Sequence, residues 1–263
     1  MLVLHASPHP DDELVGAPAT LMALRDAGHE VVNVACSLGR SEDAAQRGAE
    51  LEEACRRAGF EPPVVLDDAL SSVPRDPGPV RDEAERRLAD DLRRLCDERS
   101  PDLVVGPSPH DRHPGHELVG RALVSALEVG PGPERLWMWG LWGELPFPTT
   151  IVEYGEQRLE EILHALEAHE SQLARNDYRR LVAGRGSAEA VLAAELAFGF
   201  GGDGLDGPYV EATTEAVRRA SGWRLGAARR LDTSDPFPEP SGPDIGWWLR
   251  ARSAADGLAL ASG

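Results

Sequence analysis

Leu2-Val3-Leu4-His5-Ala6-Ser7-Pro8-His9-Pro10-Asp11-Asp12-Glu13 is the stretch on which the fold turns. Its opening run, Leu2 to His5, is apolar enough for a strand at the centre of a parallel sheet. A helical pattern begins around Leu14, carries Pro18, Leu21, Met22 and Leu24 on one face, and stops at Gly28. A histidine and three successive carboxylates therefore fall where a first strand ends and a first helix begins. In an open α/β sheet that edge is where ligands bind.

Outward from this turn the alternation repeats. Glu30 to Cys36 reads as a second strand, and Ala44 to Ala58 as a helix with Leu51, Ala54, Cys55 and Ala58 on its buried face. Val64 to Leu66 is a third strand, ending in Asp67-Asp68. After a Pro/Gly loop over 71–79, Val80, Ala84, Leu88, Leu92 and Cys96 step by four along a helix. Asp102 to Gly106 is a fourth strand, and it runs into Pro107-Ser108-Pro109-His110-Asp111-Arg112-His113-Pro114-Gly115-His116 before another amphipathic helix. Four such alternations predict a Rossmann-like α/β fold with a doubly wound, mostly parallel sheet. Beyond residue 130 the pattern is less regular. Strands are expected over 135–142 and 149–154, and helices over 157–173, 188–197 and 211–220. The expected organisation is one domain over 1–230 and a Pro/Gly-rich tail over 231–263, packed on it or loosely attached.

The formal charge of −18 over 263 residues argues against a nucleic-acid partner, which needs basic side chains to neutralise phosphates, and against an anionic membrane surface. All 27 basic residues are arginine, which removes Schiff-base and lysine-base chemistry. Cys36, Cys55 and Cys96 form no CxxC pattern and read as buried free thiols of a reducing compartment. The chain opens directly on a strand, so no signal peptide is expected, and no run approaches membrane-spanning length. A cytoplasmic protein follows as the expectation.

The two polar clusters carry the chemistry. His9 and Asp12 are close enough in sequence to share one metal ion, with Asp11 between them pointing elsewhere. His113 and His116, also three apart, can add a third ligand and one histidine off the metal. Parallel topology brings both clusters to one sheet edge. Three protein ligands with an open position is the catalytic form of a zinc site. No GxGxxG follows the first strand, and an acidic turn would repel a pyrophosphate, so a nucleotide-binding module fits poorly.

His9-Pro10-Asp11-Asp12-Glu13 and His113-Pro114-Gly115-His116 resemble the two signatures of the LmbE-like, or PIG-L, zinc-dependent N-deacetylases. The resemblance extends to Ser37-Leu38-Gly39, Arg47-x-x-Glu50-Leu51 and Ala165-x-x-x-His169-x-Ser171-Gln172, over about the first two-thirds of the chain. It implies a hydrolase that removes an N-acetyl group from an amino sugar or sugar conjugate of the N-acetylglucosamine type. His9, Asp12 and His116 become the ligands of Zn2+, or of another divalent ion such as Fe2+. Asp11 becomes the general base on the activated water, and His113 the cationic partner of the tetrahedral intermediate and proton donor to the amine. An amidase acting on a larger sugar-thiol conjugate and a non-catalytic metal-binding relative are the alternatives. The family usually has an aspartate where Gly115 stands, and Asp111 or Glu117 is the candidate substitute.

Arg47 and Asp68 are candidate substrate contacts, with Arg47 equally able to hold an internal carboxylate. His169 reads as a buried, hydrogen-bonded structural histidine, and His110 as a loop residue without a role. Trp137, Trp139, Trp142 and Phe147 read as core, with one ring able to stack under a sugar. The expected partner is a small amino-sugar substrate, with a homo-oligomer left open.

Overall fold

The computed structural model describes residues 1–66, 70, 73, 75–130, 132–201 and 204–251. Five strands form its frame: β1 (Leu2–Ser7), β2 (Glu30–Ala35), β3 (Glu61–Val65), β4 (Leu103–Pro107) and β5 (Arg135–Trp139). All pair in parallel, in the spatial order β3-β2-β1-β4-β5. The sheet continues with β6 (Thr150–Tyr154), β7 (Tyr209–Arg219), β8 (Gly222–Leu225) and β9 (Arg229–Arg230). Here β7 runs antiparallel to β5, β6 and β8, and β9 runs parallel to β6. The sheet is thus mixed but mostly parallel at its centre, and the Rossmann-like α/β expectation holds.

The helices are α1 (Asp12–Val15), α2 (Pro18–Asp26), α3 (Ala44–Ala58), α4 (Pro79–Arg99), α5 (Pro114–Glu128), α6 (Glu156–Leu166), α7 (Glu170–Leu173), α8 (Tyr178–Phe198) and α9 (Gly246–Arg250). They cover both sheet faces. One core joins Leu21 of α2, Leu51 of α3 and Ile162 of α6 to the sheet; the other joins Leu88 of α4, Leu123 of α5 and Trp248 of α9. No helix among the described residues is long and apolar enough to cross a membrane. All three cysteines are buried and free.

Several elements differ from expectation, each for a local reason. The first helix breaks between Val15 and Pro18, because Pro18 lacks the N–H that would continue it. Gly16 at the break lies against Trp139, where a Cβ would approach the indole to 2.7 Å. The helix expected over 157–173 is likewise split into α6 and α7, with His169 at the corner in a non-helical conformation. The third strand starts earlier, at Glu61, and its two prolines are tolerated because β3 is a sheet edge. The short helix expected over 211–220 is wrong: the segment is β7, an eleven-residue strand whose Thr213, Thr214, Glu215, Ala216 and Val217 are all buried.

Two glutamates of β7 tie layers together. Glu211 accepts the N–H groups of Ala19 (2.9 Å) and Thr20 (2.7 Å), capping α2 with a carboxylate. Glu215 accepts from Arg135 (2.7 Å), Arg229 (2.8 Å) and Trp137 (3.0 Å). The same two arginines donate to the carbonyls of Pro236, Phe237 and Pro238, so this ion cluster also fastens the chain that follows β9. Ile245, Trp248 and Leu249 then bury themselves in the second core.

Candidate active site

Strand order places the site. β1 leads to a helix on one face and its neighbour β4 to a helix on the other, so a crevice opens beyond their C-terminal ends. The loop after β1 carries His9 and Asp11 and leads into Asp12 at the start of α1; the loop after β4 carries Asp111 and His113 and leads into His116 in the first turn of α5. Both contain a non-glycine residue at positive φ, Asp11 at 116° and Arg112 at 63°. Such conformations cost of order 1–3 kcal/mol and persist only where surroundings enforce them. At Asp11 the enforcement is visible. Its N–H donates to Glu13 Oε2 (3.1 Å), and its carbonyl accepts from Leu14 (2.9 Å) and Val15 (3.1 Å).

Asp12 is the hub. Its Oδ2 accepts the His9 N–H at 2.8 Å and lies 3.2 Å from His9 Nδ1, while Oδ1 lies 3.3 Å from His116 Nε2. Burial works to raise its pKa, but the His116 charge and the hydrogen bonds from His116 and His9 outweigh it and hold the carboxyl well below its usual range. Asp11 responds oppositely. Burial, with the Asp12 charge beside it, pushes its pKa well up, against smaller opposing effects of His169 and Arg47. Two adjacent carboxylates are thus driven apart in character, the arrangement expected when one stays ionised and its neighbour handles protons.

His116 is fixed from behind. Its Nδ1 lies 2.6 Å from Asp111 Oδ2, so the Asp111 carboxylate holds a proton there and leaves Nε2 facing Asp12. Burial would lower His116, but Asp12 and Asp111 together raise it to about 10. Of the two substitutes considered for the missing aspartate, Asp111 therefore serves His116, and Glu117 sits 3.8 Å from Arg121. His113 caps α5 and keeps a buried Nδ1 with no hydrogen-bond partner among the described residues. Burial, reinforced by His116 and His9, pushes its pKa down to about 4. A cation in the site would push it the same way, so these surroundings favour a neutral imidazole over the cation expected from the resemblance.

The donor set fits a divalent metal. Ligand atoms of His9, His113 and His116 lie within 4.8 Å of one another. Bonds of 2.0–2.1 Å in a tetrahedron put two ligand atoms about 3.4 Å apart. The 3.2 and 3.3 Å separations from Asp12 to His9 and His116 are close to that.

Behind Asp11 stands a second pair. His169, fully buried, places Nε2 2.5 Å from Glu13 Oε1, and the Glu13 charge raises its pKa against the effect of burial. His169 is buried and hydrogen-bonded as expected, and its partner is the last residue of the first motif. Glu50 similarly accepts from Ser171 N (3.0 Å) and Oγ (2.6 Å), joining two of the motifs noted in the sequence. Arg47 donates to the carbonyls of Leu38 and Pro10 (both 3.1 Å) and borders the pocket. Among the described residues it binds no carboxylate directly. Asp68 lies outside the described residues. His110 donates to the Trp248 carbonyl (2.7 Å) and takes no part in the cluster. Trp137 and Trp139 are wholly buried, whereas Trp142 is 43% exposed and lines the pocket beside Asp11. Tyr178 and Arg175 line it too. They stand at the start of α8 and just before it, where no motif marks them.

An α/β protein with a histidine–carboxylate cluster at the crossover of its sheet is the class these features define. Residues 4–127 match the model of the family described as PIG-L, GlcNAc-PI de-N-acetylase, the family whose signatures the two motifs resemble. A probable N-acetyl-alpha-D-glucosaminyl L-malate deacetylase 2 of Bacillus cereus is 29% identical over 150 residues, 51% of this chain and 64% of that protein. The match thus spans less than two thirds of that relative's length. Among solved structures, the zinc-inhibited form of teicoplanin deacetylase Orf2 aligns with a TM-score of 0.65 at 20% identity, over 84% of this chain and 100% of that one. The N,N'-diacetylchitobiose deacetylase of Pyrococcus horikoshii aligns at 0.57 and 22% identity, over 81% and 83%. At such identities the structures establish a shared fold.

Proposed function

We propose that the chain is a metal-dependent N-deacetylase of N-acetylglucosamine-type substrates. The observation that carries this is the cluster of His9, His113 and His116, whose ligand atoms lie within 4.8 Å of one another, with Asp12 at 3.2 Å from His9 and 3.3 Å from His116 and a second buried carboxylate, Asp11, lining the same pocket. Names of the family and of the Bacillus cereus relative supply the substrate type.

His9, Asp12 and His116 would hold the ion, and Asp12 suits this because it stays ionised and touches both histidines. When bound, a zinc ion polarises the acyl carbonyl and makes water acidic enough to attack at neutral pH. Asp11 takes the proton that the attacking water loses, a task matched by its raised pKa. The attack leaves a tetrahedral carbon with a negative oxygen, and the neutral His113 ring donates an N–H to it. Asp11 then returns its proton to the sugar nitrogen as the C–N bond breaks, giving acetate and a free amine. Glu13 keeps Asp11 aimed by holding its backbone N–H, and His169 holds Glu13.

The test is direct. Zinc content is quantified in the purified protein, and acetate release is assayed on a panel of N-acetylglucosaminides. Stoichiometric zinc, with activity abolished in Asp11→Ala and zinc retained, is the expected result. A protein active without metal, or an Asp11→Ala variant as active as the parent, overturns the reading.

A further inference from the structure

Helices α4 and α8 have the same length, 21 residues, and opposite surfaces. The exposed positions of α4 from Arg86 to Arg99 are all charged, whereas those of α8 from Gly184 to Phe198 carry no charge at all. A surface helix turns its polar side to water, and one that is apolar all round is ordinarily buried. The inner side of α8 is already in use, since Ala193 packs with Ile151 of β6 and with Val210 and Ala212 of β7. Its outer side is left over. Val191, Leu192, Leu196, Phe198 and, just past the helix, Phe200 are each 40–87% exposed. Together they present roughly 500 Å2 of surface, as much as the largest apolar patch of an ordinary monomer, which commonly serves an interaction.

The stripe also has a direction. Its first half is small, with Gly184, Ser187 and Ala188, and its second half is large, with Leu192, Leu196 and Phe198. Two copies of α8 laid antiparallel about a two-fold axis near residue 190 set Ala188 of each against Leu192 of the other, and Gly184 against Leu196. Small then meets large at both ends, the alternation that lets facing helices interlock. The same register brings Arg185 of one copy to Glu195 of the other. Arg185 lies 3.7 Å from Glu189 at the edge of the stripe. Among the described residues no arginine pairs with Glu195, whose carboxylate accepts the Gly201 N–H at 3.0 Å. Two such patches joined would remove roughly 1,000 Å2 from water, the lower bound of a specific interface.

A bilayer suits this face less well. Helices that lie on membranes border their apolar side with Lys or Arg, whereas Glu195 stands within this one. A chain of formal charge −18 is also repelled by anionic lipid. We propose that the outer face of α8 is a self-association surface, on which a second copy of the chain docks its own α8 antiparallel in a two-fold dimer. Val191 stands about 20 Å along the helix from Tyr178, so the pairing leaves the reaction pocket open. The inference does not depend on the deacetylase reading.

Sedimentation of the full chain tests it. A reversible species of twice the 28.3 kDa chain mass should be populated by about 100 µM. Leu192→Glu/Leu196→Glu should raise the dimer Kd by about thirtyfold or more, the scale of losing central contacts. Gly184→Leu reads the register. A Cβ at Gly184 meets nothing within 4 Å, so the larger side chain leaves the monomer's melting temperature no lower, yet it should weaken the dimer by about tenfold against Leu196 of the second copy. Glu195→Arg, which sets like charges together, should weaken it by about threefold or more. A parent that stays monomeric, a dimer untouched by the leucine variant, or one that tolerates Gly184→Leu overturns the proposal. So does a monomer that floats with phosphatidylcholine vesicles and is released from them by Leu192→Glu/Leu196→Glu, because the face then belongs to a lipid surface.

Discussion

Asp111→Asn isolates the support behind one proposed metal ligand, His116, from the ligand itself. The Asp111 carboxylate is fully buried and divides its work between two oxygens. Oδ1 accepts the backbone N–H groups of Leu141, Trp142 (2.9 Å) and Gly143 (3.2 Å), while Oδ2 takes the His116 Nδ1 proton at 2.6 Å. Asparagine keeps one acceptor, and three converging N–H groups force its oxygen to the backbone side. Its NH2 then faces His116 Nδ1, donor against donor. His116 can relieve this by moving its proton to Nε2, which removes the lone pair needed for the ion. Losses of this kind cost about 10–100-fold in metal affinity, or about 1.4–2.7 kcal/mol. Stability should fall by only about 1–3 kcal/mol, because the loop over 141–143 keeps its acceptor. Zinc affinity is measured by competition with a chromophoric chelator, and folding by thermal melting of the same samples. A folded Asp111→Asn protein whose zinc affinity stays within about threefold of the parent would refute the reasoning.

Three further expectations concern the frame. Glu215→Ala leaves two nearly buried guanidinium groups without their carboxylate and should cost about 3–5 kcal/mol in urea unfolding; a loss below about 1 kcal/mol would show the cluster to be slack. Gly16→Val should drive a side chain into Trp139, which donates to His5 (3.0 Å) and lies edge-on to His116, costing about 1–3 kcal/mol and weakening zinc binding. Unchanged melting and metal affinity would count against that contact. His169 has a raised folded pKa, so its stabilisation is complete below its unfolded value of about 6.5 and disappears as pH rises through the folded one. The stability gap between parent and His169→Gln should accordingly shrink toward alkaline pH, and a gap that widens there contradicts the assignment.

How much of this was legible depended on how local the cause was. β1 and α5 announce themselves because burial and amphipathic period are written in contiguous residues. β7 does not. Its interior faces both sides of the sheet, so the period of two vanishes, and Glu215 looks like a solvated helix residue until Arg135 and Arg229 are brought to it. In the site, the residues of the two motifs lie where strand order predicts. Asp111, a candidate substitute for the missing aspartate, reaches His116, and a five-residue separation in a loop does not specify in advance which ring it meets. Trp142, Arg175 and Tyr178 carry no signature, since they join the pocket only through tertiary packing.

The seam between β1 and β4 also sets a timetable. Val3 must find Leu103 before the two loops meet, so closing a span of about a hundred residues precedes any site at all. During synthesis and refolding, His9 and Asp12 wait on one piece of chain and His116 on another. An ion that binds only the joined form draws the equilibrium toward it, by about 2.7 kcal/mol at a hundredfold excess over its Kd. Zinc uptake followed in time would report when the seam closes, and the ion would act as the latch that keeps it shut.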